Sequence, residues 1–104
     1  MELTGKCKEE FEEWYKSDAR YMPRFHQYLI NNFYTYPKPM QYGVYVDFLD
    51  SVGIDTEILL GDVDGFKSYA GLVNEKITEG FNTRHEARDK AIEKANEIRN
   101  KQFE

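Results

Sequence analysis

Thr83-Arg84-His85-Glu86-Ala87-Arg88-Asp89-Lys90-Ala91-Ile92-Glu93-Lys94-Ala95 decides the reading of this chain, because it marks both a helix start and the face on which that helix packs. Thr83 suits an N-cap, where its hydroxyl takes up a backbone N–H that the first turn leaves free. Glu86, three places on, can complete a capping box by reaching back to the N–H of Thr83. From there Ala87, Ala91, Ile92, Ala95 and Ile98, with Gln102-Phe103 at the end, recur at helical spacing. The stripe is narrow and built mostly of alanine, so the helix axis can lie close to its neighbour. A helix over 84–102 is expected.

What that helix covers is read from the residues before it. Ile54 to Leu60 is short and rich in Ile and Leu, and Gly61-Asp62-Val63-Asp64-Gly65 has turn composition. Phe66 to Val73 resumes as a strand, Asn74-Glu75-Lys76 turns again, and Ile77 to Phe81 continues. Strands over 54–60, 66–73 and 77–81 with short connections make an antiparallel meander, which has to cover one of its faces. Gly71 and Gly80 inside these strands point to a bulge or a close helix contact. Asp62, Asp64 and Gly65 suggest a calcium loop, but the register fails. With Gly65 as its sixth position, the first ligand would be Leu60 and the twelfth Gly71, where an aspartate and a bidentate glutamate are required.

The first half of the chain reads as helices over 3–17, 23–33 and 40–52. Leu3, Cys7, Phe11, Trp14 and Tyr15 share one helical face, opposite Lys and Glu. Pro23 precludes a continuous helix through Tyr21-Met22, and the pattern resumes after it. Met40, Val44, Tyr45, Phe48, Leu49 and Val52 form a third stripe, with Pro39 suited to a first turn and Gly53 to a C-terminal cap. A strand through Gly43-Val44-Tyr45-Val46 competes there, and the length of the pattern favours the helix. The fold class is α+β: N-terminal helices, then a three-stranded antiparallel meander packed by a C-terminal helix, in a single domain over 1–104.

Composition narrows the function classes. Of 104 residues, 40% are hydrophobic and 15% aromatic, too many for a disordered chain even with 32% charged. The net charge of −5 opposes a nucleic-acid backbone. A single cysteine, Cys7, precludes an intramolecular disulfide and suits a reducing compartment. Neither a secretory signal nor a membrane-spanning run is recognised, so a soluble, cytoplasmic protein without membrane partners is expected.

Three segments carry a resemblance: Met1 to Phe11, Met40 to Ile54, and Phe81 to Arg88 with Ala91 to Ile98. In this order they resemble small phage- and prophage-encoded proteins of gut anaerobic bacteria, a family of unknown function in which a Thr-Arg-x-Glu-Ala helix start closes the chain. The likeness covers about half the residues. It implies a phage-related origin and no catalytic residues. Arg99 departs from the pattern, standing where an aromatic residue precedes the Asn, which implies different packing at the end of the last helix.

Catalytic groups are sparse. His26 and His85 have no metal-ligand spacing with Cys7 or with each other, and no phosphate loop, nucleophile elbow or zinc motif occurs. His85, in the first turn of the last helix, is expected neutral and facing solvent. Asp47 and Asp50, three apart, read as the wet face of a helix. No enzyme activity, cofactor or metal is expected. The tyrosines of the Phe33–Pro39 loop and the helix after it, Tyr34, Tyr36, Tyr42 and Tyr45, bring large area at low entropic cost and are the expected protein-binding residues, the partner being a host protein or the chain itself. The alternative is a nucleic-acid-binding accessory protein that uses the sheet face with Lys67, Tyr69, Arg84 and Arg88. Against it, Glu86 with Lys90 and Glu97 with Lys101 form the i,i+4 pairs of a solvated helix face.

Overall fold

A computed structural model describes residues 1–17 and 26–104. Its elements follow as α1 (Gly5–Ser17), α2 (His26–Phe33), α3 (Lys38–Ser51), β1 (Thr56–Val63), β2 (Phe66–Val73), β3 (Lys76–Ile77) and α4 (Arg84–Gln102). The sheet is antiparallel in the order β1-β2-β3. This is the expected α+β arrangement, with the helices first and α4 against the sheet. The start of the second helix expected at Pro23 lies outside the described residues.

Between 40 and 52 the chain is helical, as α3, and both ends have a physical cause. Pro37 is the N-cap and Pro39 lies in the first turn, where a missing N–H costs nothing. At the other end the Gly53 N–H donates to the Asp50 carbonyl at 3.1 Å and the Ile54 N–H to the Leu49 carbonyl at 2.9 Å. That is a Schellman closure, with Gly53 at φ 82 and the apolar pair Leu49 and Ile54 both fully buried. The buried face runs through Gln41, Tyr45, Phe48 and Leu49, whereas Met40 is 53% exposed, so the stripe begins one residue later than expected.

The strands differ from expectation at their ends. β1 starts at Thr56 and runs through Val63, taking in most of the stretch read as a five-residue turn. A two-residue turn suffices because Asp64 (φ 52) and Gly65 (φ 81) both adopt left-handed backbone, the type I′ geometry that matches strand twist. Val63 therefore stays paired with Phe66, Asp62 with Lys67 and Gly61 with Ser68. The third strand is not continuous over 77–81. β3 holds two residues, and pairing returns as an isolated bridge between Phe81 and Tyr69. Leu72 faces Ile77 but Tyr69 faces Phe81, so 78–80 oppose only 70–71, a one-residue bulge. Thr78 holds the bulge: its Oγ1 accepts the Gly71 N–H at 2.9 Å while its own N–H donates to the Gly71 carbonyl at 2.8 Å.

Alternation along the strands sorts the sheet's two faces. Tyr69, Gly71 and Val73 turn toward α4, and a methyl built on Gly71 would stand 3.0 Å from Ala91 Cβ. The alanine stripe and Gly71 thus bring helix and sheet into direct backbone proximity, and Ala87, Ala91, Ile92 and Ala95 are fully buried. Thr83 caps α4 by accepting the Glu86 N–H at 3.2 Å. The Glu86 carboxylate accepts the Thr83 hydroxyl at 2.9 Å instead of a backbone N–H. Glu86 is held by Thr83, and in place of the expected Glu86–Lys90 and Glu97–Lys101 pairs Lys90 lies 3.4 Å from Glu93 and Lys94 3.6 Å from Glu97, each three residues on.

The helical half buries an aromatic cluster centred on Phe11, whose ring lies 4.9 Å from Tyr45, 5.1 Å from Phe33 and 5.4 Å from Phe48. Two asparagines of α4 then lock α1 in place. Asn96 Oδ1 accepts the Thr4 N–H and its Nδ2 donates to Thr4 Oγ1, both at 2.9 Å. Asn100 Oδ1 accepts the Cys7 N–H at 2.9 Å and its Nδ2 donates to the Thr4 carbonyl at 3.0 Å. The free N–H groups at the start of α1 are therefore capped from a helix more than ninety positions away. Arg99 adds a two-pronged pair to Glu10, at 2.7 and 2.6 Å.

Candidate functional site

The aromatic segment after α2 does not form a free contact surface. Tyr45 is fully buried at the centre of the core, so the expectation that it meets a partner is corrected. Phe33 draws the neighbouring rings inward, with Tyr34 at 5.1 Å, Tyr45 at 5.2 Å and Tyr36 at 6.0 Å. The Tyr34 hydroxyl donates to Glu12 Oε2 at 2.7 Å, and Lys8 Nζ lies 5.6 Å from its ring centre. Gln41, buried in α3, pins the turn: its Nε2 donates to the Tyr36 carbonyl at 2.8 Å and the Tyr34 carbonyl at 3.3 Å. Burial pushes the hydroxyls of Tyr34, Tyr42 and Tyr45 above the ordinary phenol range. Tyr34, Tyr36 and Tyr42 are half-buried and packed against the core, closing its edge.

The four residues of the nucleic-acid alternative fall into separate places. Tyr69 and Arg84 meet on the α4 side of the sheet, with the guanidinium 5.4 Å from the ring centre, so the ring that would stack on a base is already faced by a cation. Arg88 lies 5.5 Å from the Tyr42 ring, against α3. Lys67 is exposed and stands opposite Asp62 in the ladder.

Among the described residues, groups that could carry reaction chemistry are scattered, and the His26 side chain lies outside them. Cys7 is fully buried, and burial, with the Glu10 carboxylate adding to it, pushes its thiol up to about 11. His85 is exposed, with Nε2 3.7 Å from Asp89 Oδ2. The exposed Asp50 carboxyl is raised by partial desolvation and then by Asp55 and Asp47. Among the described residues no group of three or more His, Cys, Asp or Glu is placed to hold a metal ion, and no helix is long and apolar enough to cross a membrane.

The feature that stands out lies on the sheet face turned away from α4. There Leu59 pairs with Ala70, Leu72 with Ile77, Gly61 with Ser68, and Phe66 stands at the end beside the turn. Phe66 is 78% exposed, Ile77 65% and Leu59 38%. Beside Leu59 and Ile77 a depression of about 490 Å³ is lined by Leu59, Leu60, Gly61, Ser68, Ala70, Ile77, Thr78 and Gly80. A side chain at Gly80 would collide with Ser68 Oγ, so the depression depends on that glycine. Sequence reasoning missed this surface, although alternation along Leu59-Leu60-Gly61 and Phe66-Lys67-Ser68-Tyr69-Ala70 carries its signal. One helix can cover only one face of a meander that is apolar on both.

Compared with known proteins, the chain matches no family model, no curated protein and no solved structure.

Proposed function

We propose that this protein is a small, non-enzymatic protein-interaction module whose contact surface is the open face of its sheet. The observation that carries the reading is the set of large apolar side chains, Phe66, Ile77 and Leu59, left in solvent on the face turned away from α4, with Leu60 exposed beside them at the strand end that α4 leaves open. Apolar surface gains about 25 cal/mol for each Å² removed from water, and a contiguous exposed patch is a common mark of an interaction site. The likeness to phage-encoded proteins makes a host protein the first class of partner to test.

The test compares the wild-type protein with the double variant Phe66→Thr, Ile77→Thr as bait in a lysate of the host. Both positions are exposed and threonine suits a strand, so the variant keeps the wild-type circular dichroism spectrum and melting temperature. The expected result is a discrete partner recovered by wild type and lost by the variant, while Tyr36→Ala retains it. Recovery of the same proteins by wild type and double variant would sink the reading.

A further inference from the structure

We propose that the open sheet face receives an amphipathic helix whose apolar stripe is edged with lysine or arginine, an inference that rests on the protein-interaction reading above and specifies the partner's chemistry. Size is the first argument. β1 and β2 lie about 4.8 Å apart and the 76–81 segment runs beside β2, paired at Lys76–Ile77 and again at Phe81, so the strip is about as wide as one helix with its side chains, about 10–12 Å. Strands of eight residues run about 26 Å, the length of roughly 17 helical residues. The molecule already shows this fit, since α4, a helix of 19 residues, covers the same sheet from the other side. The small residues Gly61, Ser68, Ala70 and Gly80 in the lining of the depression let a second helix approach closely, as Gly71 does for α4.

Charge is the second argument and selects the occupant. Residues 55–79 hold six carboxylates and two lysines, a net −4 of the chain's −5. Both lysines occupy ladder positions on the α4 side: Lys67 shares the alternation of Tyr69 and Gly71, and Lys76 pairs with Val73. Lys76, Lys94 and Lys101 line a cleft with Val73 and Ile98 that reaches Ile77 and Thr78 at the β3 edge, so the basic groups gather at that one edge of the strip. On the open side the charged strand position is Glu57, which pairs with Leu72. The two hairpin turns at either end add exposed Asp64 and Glu75. An apolar strip with Glu57 on its face and acidic turns at both ends complements a helix with an apolar stripe between basic flanks. A second copy of this chain would set Glu57 and the acidic turns against the same groups, which disfavours it.

The test uses the full chain and three synthetic 18-residue peptides: leucine at helical spacing with lysine elsewhere, the same stripe with glutamate, and the lysine peptide with its order scrambled. Titration is followed by amide chemical-shift mapping at two salt concentrations. The lysine peptide is expected to bind, become helical, shift the amides of Leu59, Phe66, Ala70 and Ile77, and weaken as salt rises. The glutamate and scrambled peptides should not bind at that site. The variant Glu57→Gln, Asp64→Asn should weaken the lysine peptide about fivefold or more, and Phe66→Thr, Ile77→Thr should abolish its binding.

Three results overturn the proposal: shifts that map elsewhere, equal binding of the glutamate peptide, or dimerisation through Phe66 seen by light scattering. If the lysine peptide fails while the lysate partner still depends on Phe66 and Ile77, the interaction reading stands and the basic-helix chemistry falls. If the peptide binds at this face and no lysate partner depends on it, the host-partner reading falls instead.

Discussion

Single residues carry much of what is distinctive here. Gln41 and Asn96 are polar side chains placed among apolar ones, and each is kept there by the backbone groups it satisfies. Cys7 is a buried thiol, and burial gives it a pH dependence whose sign can be worked out. Folding raises its ionisation from 9.0 to about 11, so the folded state favours the protonated form. That stabilisation is complete below pH 9 and is lost as pH rises toward 11, at about 1.4 kcal/mol per pH unit across the interval. Urea unfolding at pH 8, 9, 10 and 11 should show stability falling over this range, and Cys7→Ala should flatten the curve while lowering it at neutral pH. A parallel slope in the variant would assign the loss to other groups, Tyr34 and Tyr45 first, since burial raises both. Neither Gln41 nor Asn96 was legible as a core residue in the sequence, because a polar side chain inside an apolar stripe looks like an interruption of it. In hindsight Asn96 and Asn100, weak helix formers four apart in a long helix, are the readable sign.

At the scale of elements, the hairpin turns set the register, and they are not equally comfortable. The first has Asp64-Gly65, the pair its geometry favours. The second has Asn74 (φ 48) and Glu75 (φ 70), and a glutamate in left-handed backbone is strained. Asn74 compensates by accepting the Asp55 N–H on its Oδ1 at 2.9 Å and donating its own N–H to the Asp55 carbonyl at 3.0 Å. Glu75→Gly should therefore stabilise the protein by about 0.5–1 kcal/mol, raising the melting temperature by about 3–6 °C in calorimetry. An unchanged or lower midpoint would show that the strain is relieved elsewhere. Helix existence and type were legible from spacing alone, down to the Gly53 cap and the Thr83 start. Strand ends were not, because Gly61-Asp62-Val63 has turn composition and yet stays in the ladder once Asp64-Gly65 closes the hairpin in two residues. The two interior glycines were read correctly as a pair, one answering a helix and the other a bulge.

For the whole molecule, one continuous core runs along α4. On one side this helix closes the sheet with alanines, and on the other it reaches the aromatic core and the start of α1. The layering was legible because a meander requires a cover, but the sequence pattern was read for one buried face only. The aromatic residues drew attention as a surface since rings of that size are as useful in a core as in an interface. Phe33 and Gln41 settle it for the core, and that leaves the sheet as the exposed apolar region. The exposed apolar face thus follows from a shortage of helix and not from an excess of tyrosine.

The asparagine clamp between α4 and α1 has a consequence for the order in which the chain folds. Its hydrogen bonds join positions up to 96 apart, so the loop they close is nearly the whole chain, whereas the β1–β2 hairpin closes over two residues. Contacts so distant in sequence are costly to form early, and the clamp should be absent from the rate-limiting barrier. Asn96→Ala, which strips the Thr4 N–H of its acceptor, should destabilise by about 1–2 kcal/mol. In stopped-flow measurements almost all of that loss should appear as unfolding about five- to thirtyfold faster, with the refolding rate nearly unchanged. A refolding rate that drops by the same factor would place the clamp in the nucleus. If the clamp forms late, two amide side chains far from the hairpin prolong the lifetime of the folded state without speeding its formation.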